Sequence, residues 1–113
     1  MTESRFDIVG LNYFSVYLKD YEEAVEFYSG IFGPDQSGDP RGMLKAWQMG
    51  STYLTVFPAK DMAMEDVNPR NAEFAIQVGS PDEVDRLHKA FVDAGATNGW
   101  EPRDTEMYEP MRF

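Results

Sequence analysis

Apolar residues recur along this chain with two different periods. In "YFSVYL" (13–18), Phe14, Val16 and Leu18 alternate with Tyr13, Ser15 and Tyr17. Successive strand side chains take opposite sides, so the run predicts a β-strand near 11–18 with two unlike faces. One face is ordinary core. The other carries two phenols and a hydroxyl, which need hydrogen-bond partners if buried. Beyond Asp20 the period changes. Ala24, Phe27, Tyr28, Ile31 and Phe32 recur at helical spacing and predict an amphipathic helix near 20–32. Asp20 is placed to cap it, Glu23 to complete a capping box, and Gly33 to end it.

The same phrase returns 60 residues later: Phe74, Ile76 and Val78 alternate in "EFAIQV" (73–78). A strand near 72–78 follows, then a helix near 80–94. Ser80 is its cap, Pro81 takes the first helical position, Glu83 repeats Glu23, and Gly95 closes it. Val84, Leu87, Phe91 and Val92 form its apolar stripe. Phe14/Phe74, Val16/Ile76, Leu18/Val78, Phe27/Leu87 and Ile31/Phe91 keep one offset, so strand and helix phases agree in two strand–helix units. Between them "MLKAWQM" and "STYLTVFP" predict a hairpin broken at Met49–Gly50–Ser51. "GPDQSGDPRG" (33–42) is rich in turn residues and leaves little room for a strand; "AKDMAMEDVNPRN" (59–71) is an acidic linker.

A length of 113 residues allows one domain. The formal net charge of −10 argues against nucleic acid and against an anionic membrane as partners. The absence of cysteine excludes disulfides, thiolate metal sites and a cysteine nucleophile. "MTESRFDIVG" lacks the basic start and long apolar run of a signal peptide, so a cytoplasmic protein is expected.

"LNYFSVYLKDYEEAVEFYSGIFG", with its aspartate at the helix start and its late aromatic pair Phe27–Tyr28, resembles the opening of the vicinal oxygen chelate superfamily. That group includes glyoxalase I, bleomycin-resistance proteins and extradiol dioxygenases, and the likeness spans essentially the whole chain. It implies an α+β fold of paired βαβββ modules, whose curled mixed sheets surround a cleft and carry the helices outside. Module one would cover about 8–58, the linker 59–71, and an incomplete module two 72–113. By strand alternation Tyr13, Ser15 and Tyr17 then face the cleft, with Tyr53, Thr55 and Phe57 from the hairpin and Glu73, Ala75 and Gln77 from the second module. Trp47 is expected with them, because Leu44 and Ala46 suit the helix side. The plain alternative is that these side chains only fill a collapsed barrel.

Catalytic relatives hold a divalent metal with His and Glu on the first and last strands of each module. Carried over by position, this chain offers Tyr13, Thr55 and Glu73, and the fourth position falls beyond Phe113. Neutral Tyr and Thr are poor ligands, and one carboxylate rarely holds a divalent ion against water. No metal and no cofactor are therefore expected. Glu73 is open to two readings, a pocket carboxylate serving as base or cation partner, or a solvated residue at the strand mouth. His88, the only histidine, is expected to sit half-buried on the second helix, outside the cleft. Trp100, Met107, Tyr108 and Met111 suit either an adaptable ligand surface or core closure.

The expected function is metal-free binding of a small aromatic or cationic molecule, as in the bleomycin-resistance branch. The alternative is a superfamily enzyme (a lyase, isomerase or dioxygenase) with a degraded or atypical metal site. Because family members continue past the point matching Phe113, either a C-terminal segment is missing or a second copy covers an open edge. The latter predicts a homodimer with an interface near Trp100–Phe113.

Overall fold

The computed structural model describes residues 5–70, 72–99, 101–102, 104–105 and 111–112, the last two pairs by backbone only. Trp100, Met107, Tyr108 and the side chain of Met111 lie outside the described residues. The chain divides into two compact units, residues 1–72 and 73–113.

The first unit runs β1 (Tyr13–Leu18), α1 (Tyr21–Phe32), β2 (Lys45–Met49) and β3 (Thr52–Pro58), followed by a 3-10 turn at Ala59–Met62. Its sheet has the order β1-β3-β2, with β1 parallel to β3 and β2 antiparallel to it. The hairpin is tight. Met49 sits opposite Thr52 across the two-residue loop Gly50–Ser51, and Gly50 takes φ 65°. A primed hairpin turn needs a positive φ at that first loop position, which glycine adopts without strain.

The core forms where one sheet face meets α1. Trp47, Leu54 and Val56 are fully or almost fully buried, and Phe14, Val16 and Leu18 pack against them. Full burial of a side chain such as Leu54 or Val56 contributes about 1.5–3 kcal/mol by leaving water. From α1 the packed residues are Tyr21, Val25, Tyr28 and Phe32. This corrects the expected stripe, which shares only Tyr28 and Phe32 with it. The helix is rotated so that Tyr21 and Val25 meet the sheet, and the Phe27 and Tyr28 rings stand edge to face with centroids 5.2 Å apart.

Helix α1 also starts differently from expectation. Asp20 makes no side-chain cap bond. Its carboxylate accepts from Asn68 Nδ2 at 2.8 Å, and Asn68 Oδ1 accepts from the Asp20 N–H at 3.0 Å. A long-range amide partner has taken the carboxylate that local pattern assigned to the helix.

The second unit contains α2 (Pro81–Asp93) and a two-stranded antiparallel ladder of β4 (Asp104–Thr105) and β5 (Met111–Arg112). Here the caps follow the sequence. Ser80 Oγ accepts from the Glu83 N–H at 3.3 Å, and Pro81 opens the helix. At the other end Gly95 N–H donates to Val92 O and Ala96 N–H to Phe91 O, a Schellman closure with Gly95 at φ 107°. The strand expected near 72–78 is not formed. These residues are mostly exposed and belong to no ladder. Alternation sets which side a strand presents, but a strand exists only where a second backbone accepts its hydrogen bonds.

Candidate functional site

The face of the first sheet turned away from α1 is built by the parallel pairing of β1 with β3. The register sets Tyr13 beside Tyr53, Ser15 beside Thr55 and Tyr17 beside Phe57. Parallel neighbours in register point the same way, so six of the expected residues share one face. Across the centre, Ser15 Oγ and Thr55 Oγ1 are hydrogen-bonded at 2.7 Å. Thr55 Oγ1 also lies 3.3 Å from Phe14 O, and Thr55 is only 8% exposed. On one side of that pair Tyr17 stacks on Phe57, with centroids 5.0 Å apart and planes 13° from parallel. On the other side Tyr13 and Tyr53 are open to solvent, at 63% and 38% exposure. Chemically this is a strip of π-surface interrupted by two hydroxyls.

Trp47 is not part of it, which corrects the sequence expectation. It pairs with Leu54, is completely buried, and packs its indole against Tyr28 of α1, with centroids 5.6 Å apart. Its Nε1–H donates to Gly33 O at 2.8 Å, so the ring tip is tied to the end of the helix. The expectation took its phase from Leu44, which lies outside β2. Counting back from the turn gives the right answer: Met49 opposes Thr52, and two residues earlier Trp47 opposes core Leu54. Ala46, opposite Thr55, supplies the small buried side chain on the outer face. Glu73 and Gln77 belong to the second unit, where both are exposed and no strand sets their direction.

A different concavity occupies the C-terminal ends of β1 and β3. It is a cavity of about 700 Å³ whose lining includes Lys19, Glu22, Arg41, Met43, Lys60 and Asp61. Sequence pattern gave no sign of it, because its walls come from segment ends and a loop rather than from a periodic face. Its charges are mixed, and Arg41 is already paired with Asp39 at 3.1 Å.

His88 stands on α2 with its side chain 26% exposed. Its Nε2 meets Asn98 Oδ1 at 3.0 Å, and Asn98 Nδ2 donates to Glu101 Oε1 at 2.7 Å. These bonds fasten the segment after α2 to the helix and explain the histidine structurally.

Of the three positions expected to correspond to metal ligands in catalytic relatives, Glu73 is exposed in the second unit and the other two carry no ionised donor. The Thr55 hydroxyl is engaged with Ser15 and faces the Phe14 carbonyl, and Tyr13 offers a neutral phenol. Among the described residues no three His, Cys, Asp or Glu side chains converge as a metal site requires.

Several solved structures share this fold. Hypothetical protein SA1046 from S. aureus superposes with a TM-score of 0.66 at 21% identity, over 96% of this chain and 87% of its own. A glyoxalase-related enzyme from Fulvimarina pelagi gives 0.66 at 19% identity, over 88% and 74%. A glyoxalase/bleomycin resistance protein/dioxygenase from Nocardioides gives 0.58 at 22% identity, over 93% and 72%. No curated protein matches the chain by sequence. The α+β architecture agrees with these neighbours, and the sequence model of one family matches residues 10–111, nearly the whole chain. The chain belongs to the Glyoxalase/Bleomycin resistance protein/Dioxygenase superfamily.

Proposed function

We propose that this chain binds a small planar aromatic or cationic molecule on the outer face of β1 and β3, without a metal. The observation that carries the reading is the stacked Tyr17–Phe57 pair beside the Ser15–Thr55 hydroxyls. An aromatic face attracts a cation or a flat π-system, and the Ser15 hydroxyl, held in place by Thr55, orients its polar edge. The net charge of −10 raises the local concentration of cations around the protein. The alternative, a lyase, isomerase or dioxygenase using an atypical metal site, has the engaged Thr55 hydroxyl against it. We place the protein in the cytoplasm as a homodimer; no helix among the described residues is long and apolar enough to cross a membrane.

A thermal-shift titration tests this reading, with tetramethylammonium and a flat aromatic cation such as an acridinium as probes. A ligand of the native state raises the melting temperature with concentration, by about 2.7 kcal/mol of added stability at a hundredfold excess over Kd. The expected result is a rise with the aromatic cation that Tyr17→Ala and Phe57→Ala both remove. If neither probe moves the wild-type transition, the reading is wrong. Equilibration with Mn, Fe(II), Ni or Zn followed by elemental analysis decides the enzyme alternative. Stoichiometric retention of any of them would favour it.

A further inference from the structure

We infer that segment 33–44 is a strap that seals the outer edge of β2 and keeps that edge from pairing with a second copy of this chain. Among the described residues the sheet order β1-β3-β2 gives β2 a strand neighbour on one side only. In an antiparallel ladder alternate residues turn their backbone groups to the partner strand and the others turn outward. Ala46 and Gln48 are the outward pair, and an uncovered row of that kind is a template for strand addition.

The strap covers those groups almost one by one. Ala46 N–H donates to Asp35 Oδ1 at 2.8 Å. Ala46 O accepts from Gln36 N–H at 2.8 Å. Gln48 N–H donates to Gln36 Oε1 at 2.7 Å. Two of the three bonds use a side-chain acceptor, so the segment satisfies the edge without becoming a strand and offers no continuous ladder of its own. It is also wound tightly on itself. The Asp35 carboxylate takes the N–H and the hydroxyl of Ser37, both at 2.9 Å. The Asp39 carboxylate takes the N–H groups of Arg41, Met43 and Leu44 at 3.1, 3.0 and 3.2 Å. Beyond these turns Arg41 and Met43 reach the cavity at the strand ends, so the strap that seals the edge also builds one wall of that cavity.

Amide hydrogen exchange and light scattering on the full chain test the strap, using Gln36→Ala, Asp35→Ala and the double variant. Gln36→Ala should speed exchange at Gln48 alone. The double variant should speed Ala46 and Gln48 by about tenfold or more while Trp47, bonded to β3, keeps its wild-type rate. Its weight-average mass should then rise above that of wild type with increasing concentration. Unchanged exchange at Ala46 and Gln48 would overturn the strap. So would equal acceleration at Trp47, since the edge would then open only with the whole hairpin. A double variant whose mass stays at the wild-type value would overturn the guarding role. Gln36→Ala leaves the Asp35 and Asp39 turns intact, so it reports on the edge even if the double variant unfolds.

Discussion

The Tyr21 hydroxyl is buried with no hydrogen-bond partner among the described residues, although its ring packs on the core. Burial first, and then the carboxylates of Glu22, Asp35 and Asp39, push its pKa up and keep it neutral. A buried donor that gives up water without gaining a partner costs stability. Tyr21→Phe removes the group and leaves the ring, so it should raise the urea midpoint, by about 1 kcal/mol of stability; a lower midpoint would mean that the hydroxyl has a partner in solution. Thr55 is the opposite case. Thr55→Val keeps the shape but strands the Ser15 hydroxyl, and should cost about 1–2 kcal/mol in the same measurement. Residue identity alone does not separate the two. Both are partly polar side chains at apolar-looking positions, and only the 2.7 Å contact across two strands shows which one is satisfied.

At the scale of elements, the local signals that proved legible are those whose partners lie within one turn. Ser80, Pro81 and Gly95 mark α2 because cap and closure bonds span three to five residues. Ser80→Ala should therefore lower stability by about 1 kcal/mol in chemical denaturation. Asp20 carried the same signal and was claimed by Asn68, 48 positions away, a competition that no local pattern can express. The phase of β1 and β3 was readable because both strands have one apolar and one mixed face. That of β2 was not, since Ala46 and Trp47 are both apolar and only the turn register separates them. The strap was legible as turns but not as an edge seal, because its value lies in bonds to β2. Those bonds carry a pH signature. For Asp35, burial pushes the pKa up, but the N–H groups of Ser37 and Ala46, the Ser37 hydroxyl and the Lys45 charge outweigh it and leave it low. Asp39 is lowered chiefly by the Arg41 N–H. A carboxylate whose folded pKa is depressed contributes stability that is full above its unfolded pKa and is lost as pH falls through the folded value. Exchange at Ala46 should thus be flat from neutral pH to the ordinary carboxylate range, after correction for intrinsic rates. It should accelerate only below that range. Acceleration already at pH 6 would point to a group other than these two acids.

At the scale of the molecule, the dimer expected from sequence rests on Trp100–Phe113, most of which lies outside the described residues; the near end of the chain offers a second surface to test. Ile8, Val9, Leu11 and Tyr13 are all largely exposed, Val9 at 95%. The segment is not loose where it joins the sheet, for Thr52 Oγ1 donates to Leu11 O at 2.6 Å and Tyr53 N–H to Asn12 O at 3.1 Å. A held run of large apolar side chains in water is the usual mark of a contact surface. Tyr13, the last residue of the run, pairs laterally with Tyr53 and carries it onto the proposed binding face, so a second copy docked there would add a wall to that face. If the proposed homodimer pairs two-fold through this segment, one surface would serve both chains and should bury more than about 1,000 Å² in total. Light scattering at micromolar concentration should give twice the chain mass. Val9→Asp with Leu11→Asp, two side chains outside the core, should return the monomer with unchanged circular dichroism. Loss of the dimer should also weaken binding of the aromatic cation, while Tyr17→Ala should weaken binding and leave the mass at the dimer value. A wild-type monomer at these concentrations, or a dimer that tolerates both aspartates, would remove the N-terminal segment from the interface.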